Sequence, residues 1–221
     1  MIKVIMNHDE RLNDIINKTE KLLAKKGYEK TSVADIIKKV GIAKGTFYYY
    51  FKSKDDLLDA IVEKMLKEIW AQVDIIVVKN DLNAIDKVFE FFGAFRSVTV
   101  GREKLIEDIH KEENAHIHLK LEKKMYPVII PKFEKIIHQG LEEGVFDTEY
   151  PLEASTVLMT SMATLDQVQN YSHKVKNKIT DLNQLKMYFD LMERILGAKR
   201  GTFMKYIKRY IKKMGGVKAS K

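Results

Sequence analysis

Apolar residues spaced three and four apart, interrupted by single glycines, dominate this chain and leave it little choice but helix. From Leu12 the run Leu12, Ile15, Ile16, Thr19, Leu22, Leu23 follows one helical face, and Gly27 then supplies the left-handed residue that ends it. Val33, Ile36, Ile37 and Val40 mark a short second helix, opened by Ser32 with Asp35 as a capping pair and broken by Gly41. Residues 44–50 predict a third helix. Ser53, with Asp56 three residues on, opens a long fourth one that is apolar at Leu57, Leu58, Ile61, Met65, Leu66, Ile69, Val73 and Ile76. Further helices are expected near 81–98, 102–112, 114–143, 151–171 and 181–197 or beyond. Pro127 and Pro131 should kink or interrupt theirs, because each lacks an amide donor, whereas Pro151 suits a first helical turn. No internal repeat, low-complexity tract or convincing strand stands out, so the expected fold class is all-α.

The chain has 221 residues, enough for one ordinary domain or two small ones, and no cysteine. That removes disulfides, thiolate chemistry and cysteine-ligated zinc. The opening MIKVIMNHDE is too short an apolar run for a signal peptide, and the most apolar window, IWAQVDIIVV, is short and carries an aspartate. No membrane span and a cytoplasmic location are expected. Charge is unevenly spread. Residues 1–54 carry 12 Lys/Arg against 6 Asp/Glu, residues 55–197 carry 18 against 25, and residues 198–221 carry 9 against none. A basic head on an acidic body points to a polyanionic partner for the head, with nucleic acid ahead of an anionic membrane.

The head contains VGIAKGTFYYYFKSKDDL, in which five aromatic residues, Phe47 to Phe51, stand between Lys44 and Lys52. Five adjacent rings point all round a short helix and cannot all be buried. Phe47 and Phe51, four apart, share a face and can anchor it. Helix, glycine turn, short helix is the pattern of a helix-turn-helix, whose second helix enters the major groove. Lys44, Gly45, Tyr48 and Tyr49 then face outward. Lys44 can reach a guanine edge, Gly45 lets the backbone come close, and Thr46 can touch a thymine methyl or a phosphate. Tyrosine hydroxyls and Lys54, at the positive end of the fourth helix, suit phosphate oxygens. Tyr50 could face either way by periodicity.

Residues 10–57, centred on KGYEKTSVADIIKKVGIAKGTFYYYFKSKDDLL, resemble the DNA-binding domain of the TetR (tetracycline repressor) family of bacterial regulators. Val40 and Ala43 depart from the family's usual Ala and Ser, so a hydroxyl at 43 is missing, and Tyr50 stands where His is frequent. The resemblance implies phosphate contacts from Ser32, Tyr48, Tyr49 and Lys54, and base-edge contacts from Lys44, Gly45, Thr46 and Tyr50. It also implies a homodimer on a palindromic operator in double-stranded DNA, paired through the last two long helices. The expected interface is Val157, Leu158, Ser161, Met162, Leu165, Leu185, Phe189, Met192 and Ile195, since two wide apolar helices at the chain end exceed what one small core needs; the lesser alternative is that these stripes pack within one subunit. Its middle helices would enclose a small-molecule effector. Trp70, Phe91, Phe92, Phe95, His110, Met125, Tyr126, Met159 and Met162 are candidates for the lining, which slightly favours an apolar ligand; most of these suit an ordinary core.

His110, His116 and His118 lie near Glu112 and Glu113, but His-x-His on a helix splits its rings to different sides, so no metal is expected. Without a Gly-rich phosphate loop or a catalytic triad, neither catalysis nor a cofactor is expected. The tail from residue 198 could prolong the last helix, lie on an anionic membrane or add sequence-independent DNA affinity; prolongation is the expectation. The domain plan read here is a helix-turn-helix DNA-binding domain over 1–54, a ligand-binding and dimerisation domain over 55–197 and a basic extension over 198–221. The function read here is a dimeric repressor released from its operator by a small molecule. The competing readings are an all-α small-molecule-binding protein or enzyme, and a non-specific chromosome- or membrane-associated binding protein.

Overall fold

A computed structural model describes the backbone of residues 7–171 and 182–213, and the side chains of 7–161 and 186–207. Among the described residues every regular element is helical: α1 (His8–Lys26), α2 (Val33–Val40), α3 (Lys44–Tyr50), α4 (Lys54–Val78), α5 (Ala84–Thr99), α6 (Glu103–Ile109), a 3-10 turn (Glu112–Asn114), α7 (Ala115–Glu142), α8 (Pro151–Tyr171), α9 (Leu182–Ile195) and α10 (Thr202–Lys213). Two compact units share α4, α5 and α7. One holds residues up to Ile69 with Arg96–Lys124, and the other holds Trp70–Phe95 with the residues from Met125 onward.

In the first unit, local chemistry sets the helix ends. Asn7 with Glu10 and Ser32 with Asp35 form reciprocal capping boxes on α1 and α2. Ser53 accepts the Asp56 amide at 3.0 Å to open α4. Gly41, left-handed with φ 76°, ends α2 and turns the chain toward α3. Ile15, Ile16, Leu23, Ile36, Val40, Phe47, Phe51, Leu57, Leu58 and Ile61 form a buried core. The α6 helix packs on α1. The buried Asp108 carboxylate accepts the Tyr28 amide at 2.6 Å, and the Tyr28 hydroxyl donates to Asp55. A charged chain of Glu20, Arg102, Glu68 and Lys64 joins α1, α4 and the start of α6.

In the second unit, α7 runs uninterrupted through Pro127 and Pro131. Both prolines are exposed, so the carbonyls deprived of an amide partner can turn to water instead of breaking the helix. The chain end also departs from expectation. The last long helix stops at Ile195, and the tail forms a separate α10 instead of prolonging it. Gly197, with φ 62°, makes the corner. A Cβ there would lie 1.9 Å from the Asp147 carbonyl oxygen. The buried Glu193 carboxylate accepts the amides of Gly201 at 2.7 Å and Phe203 at 2.8 Å, capping α10. Phe203 then stacks on Phe189 at 5.6 Å and near Phe146 at 6.2 Å, in a ring cluster that includes Phe89.

Two stability measurements test these contacts. Gly197→Ala combines a left-handed backbone with a collision and should cost about 1–3 kcal/mol or more in thermal unfolding. A wild-type melting temperature in that variant contradicts the assigned corner. The Tyr28 hydroxyl, ahead of His116, holds the Asp55 carboxyl below its ordinary value. A depressed folded value means stability that is present above the unfolded value, about pH 4, and lost as pH falls through the folded one. Tyr28→Phe should therefore move the acid-unfolding midpoint upward; an unchanged midpoint contradicts the role given to this contact.

Candidate nucleic-acid interface

The three-residue link Gly41-Ile42-Ala43 delivers α3 with no side-chain cap at Ala43, in keeping with the missing hydroxyl there. Its hold on the protein comes from rings: Phe47 is 0% exposed and Phe51 4%. Burying two such side chains contributes roughly 1.5–3 kcal/mol each. At 100° per residue that arrangement turns the intervening residues outward, leaving Tyr48 49% and Tyr49 71% exposed. Lys44 and Gly45 are exposed beside them, and a Cβ at Gly45 would meet nothing within 4 Å. Exposed Lys38, Lys39 and Lys52 flank the face. The result is a ring-and-ammonium surface at the first turns of a helix small enough for a major groove.

Not every predicted contact is presented in the same way. Thr46 is half-buried. Tyr50 is half-buried too, its ring 5.0 Å from His8 and its hydroxyl 3.5 Å from the His8 carbonyl oxygen, so it leans on the start of α1. Ser32 is exposed, but its hydroxyl donates to Asp35 at 2.8 Å and must rotate away before it can donate to a phosphate. Lys26, also 2.8 Å from Asp35, is the main reason that carboxyl is held well below the usual carboxylate range. Lys54 does not reach outward. Its ammonium lies 3.9 Å from the centroid of the Tyr28 ring and donates to the Tyr28 carbonyl at 3.1 Å, a cation–π and hydrogen-bond clasp within the head.

Among the expected interface residues, Leu158, Phe189 and Met192 are buried inside their own subunit, while Val157 is 50% exposed and Ser161 and Ile195 are half-buried. The side chains of Met162, Leu165 and Leu185 lie outside the described residues. Among the described residues of these helices, the exposed large apolar ones are Leu152 and Val157 on α8 and Met187 and Leu191 on α9. The spacing of Met187 and Leu191, i and i+4, was the available signal, masked by the stronger inward stripe.

Of the expected pocket residues, Phe91, Phe92 and Phe95 belong to one ring cluster with Phe133. Phe91 lies 4.9 Å from Phe133, and Phe92 lies 5.9 Å from Tyr188. Met159 is buried, and Met125 and Tyr126 are half-buried in the same unit. Trp70 is half-buried with an indole N–H that finds no acceptor among the described residues. His110 belongs to the other unit, where its ring lies tilted against that of His118, centroids 4.8 Å apart. His116 turns elsewhere, to Asp55 at 3.4 Å.

Two substitutions separate presentation from contact. Gly45→Ala should leave stability unchanged or raise it by roughly 0.5–1 kcal/mol, yet weaken binding to a cognate duplex by crowding the backbone approach. Full duplex affinity in an anisotropy titration contradicts that approach. Lys54→Ala should lower the melting temperature, because it removes the clasp on Tyr28. A variant that melts like wild type but binds duplex poorly assigns Lys54 to phosphate instead.

The comparisons with known proteins follow the same division. The family model described as bacterial regulatory proteins of the tetR family matches residues 15–61, and a tetracycline repressor-like C-terminal domain matches 96–184. The uncharacterised helix-turn-helix regulator YfiR of Bacillus subtilis (strain 168) is 22% identical over 166 residues, 68% of this chain and 75% of the relative. YvdT of the same organism is 42% identical over 59 residues, 27% of this chain and 30% of that relative. The solved structure of RolR with its ligand resorcinol superposes with a TM-score of 0.60 at 18% identity, covering 91% of this chain and 93% of that one. With both family models matched, over residues 15–61 and 96–184, the chain belongs to the TetR family of helix-turn-helix transcriptional regulators.

Proposed function

We propose that this regulator acts in the cytoplasm as a homodimeric repressor, released from a palindromic operator by a small-molecule effector. The observation that carries the reading is the pairing of two unsatisfied surfaces. One is the Lys44, Gly45, Tyr48, Tyr49 face of α3, and the other is the apolar set Leu152, Val157, Met187 and Leu191 on α8 and α9. A single seven-residue recognition helix reads too few base pairs for specificity, so two copies reading two half-sites are needed. An apolar set shared by two neighbouring helices is the form a self-complementary interface takes.

The effector reading rests on the ring cluster of Phe91, Phe92, Phe95, Phe133 and Tyr188, which suits an apolar or aromatic molecule. The RolR structure is a complex with resorcinol, a small aromatic. Release requires that the effector bind one arrangement of the dimer more tightly than the operator-bound one.

Binding to palindromes from the gene's own upstream region tests the reading. Specific affinity should exceed that for random duplex by about a thousandfold or more; equal affinities contradict specific regulation. Met187→Glu with Leu191→Glu should yield monomers in sedimentation and lose operator binding together. A variant that stays dimeric, or binds as a monomer with full affinity, contradicts the interface.

A further inference from the structure

We propose that His8, on α1, is a proton-gated phosphate contact that extends the recognition surface of α3 and makes duplex binding tighten as pH falls. The proposal rests on the α3 face being the one that meets DNA. The His8 imidazole stands edge-on to Tyr49, centroids 5.9 Å apart, and lies 5.0 Å from Tyr50. The Tyr50 hydroxyl donates to the His8 carbonyl oxygen at 3.5 Å, which ties the first residue of α1 to the last of α3. Tyr49 is 71% exposed and the His8 side chain 58%, so a duplex that covers the one covers the other. A ring that served packing alone would be enclosed; more than half of this one is open.

The two ring nitrogens are not equivalent. Nδ1 lies 3.2 Å from the Asp9 carboxylate, which can only accept, so in the neutral ring Nδ1 carries the proton and Nε2 keeps a lone pair. Among the described residues Nε2 has no hydrogen-bond partner. A lone pair repels a phosphate oxygen. Protonation turns Nε2 into a charged donor, the kind of group a phosphate oxygen accepts best, while Asp9 compensates the other side of the ring. The surrounding charges leave this arrangement intact. On α1, the Glu10 carboxylate is turned to the Asn7 amide at 2.9 Å, and Arg11 lies 3.4 Å from Asp14. From α3 come Tyr49, Tyr50 and, at its far end, Lys44, with Lys52 just beyond it and no carboxylate. Asp9 is thus the carboxylate that touches the ring among the described residues.

The test measures binding of the full chain to a random-sequence duplex of about 30 base pairs across about 50–200 mM salt, at about pH 5.8 and about pH 8. One added phosphate contact steepens the salt slope by about 0.9, a three- to fourfold difference in affinity over roughly that salt range. The wild type should gain this step on acidification, over and above any step that His8→Gln retains. His8→Arg, permanently charged, should show the steeper slope at both pH values. The His8 ring-proton resonance of the wild-type chain gives a readout free of substitution: His8 should hold its proton to higher pH in the duplex complex than in the free chain. An equal step in wild type and His8→Gln overturns the proposal, and so does a His8 titration that duplex leaves unmoved. Lys44→Gln in the same assay separates the two readings. If it weakens binding at both pH values while the His8 step is missing, this proposal alone falls; if it leaves affinity unchanged, the α3 face and its extension fall together.

Discussion

The burial of Phe47 and Phe51 on one side of α3 is the constraint on which the rest of the head depends. A helix of seven residues does not persist in water by itself. This one also starts without a side-chain cap, at Ala43. Its persistence and its orientation therefore come from the same two rings. Once they are seated, helical geometry leaves Tyr48 and Tyr49 no inward position, and Lys44 and Gly45 come to the surface with them. The question raised by five consecutive aromatic residues has a physical answer: two are anchors, one leans on α1, and two are presented.

The head is in turn held by contacts too far apart in the sequence to be local. Gly27 lies against α6 so closely that a Cβ would come within 2.7 Å of Lys104 Cε and 2.8 Å of Asp108 Oδ2. Asp108 receives the next amide in the chain, that of Tyr28, and also pairs with Lys111. Asn114 adds a hydrogen bond to Glu29 at 2.9 Å. Glu20, nearly buried, depends on Arg102 and Lys64 for its compensation. Removing one partner of such a pair leaves a costly charge behind. A displacement of α6 cannot leave these contacts intact, so the position of α6 and the seating of the helix-turn-helix are one mechanical question.

What was legible in the sequence was what is decided within a turn or two of helix. Ser32 with Asp35, Ser53 with Asp56, and the stops at Gly27 and Gly41 are local chemistry and were readable as such. So was the outward turn of Tyr48 and Tyr49, because their neighbours four apart had to go in. The sequence did not distinguish a stripe that packs inward from one that faces out. Leu158, Phe189 and Met192 carry the stronger apolar signal because they serve the subunit's own core, and the outward Met187 and Leu191 are the weaker pattern. Lys54 illustrates a different limit. A long flexible side chain beside an exposed helix face can equally fold back on a ring, and only the location of Tyr28 decides. The corner at Gly197 was hidden for the same reason, since it is enforced by Asp147 and by the aromatic partners of Phe203, all remote in the chain.

The most direct test of the account is chemical modification of tyrosines with and without operator duplex. The account predicts that Tyr48 and Tyr49 are reactive in the free protein and protected by the duplex, while buried Tyr28 and Tyr188 stay unreactive in both states. Tyr48 and Tyr49 remaining equally reactive on a saturating operator would contradict it.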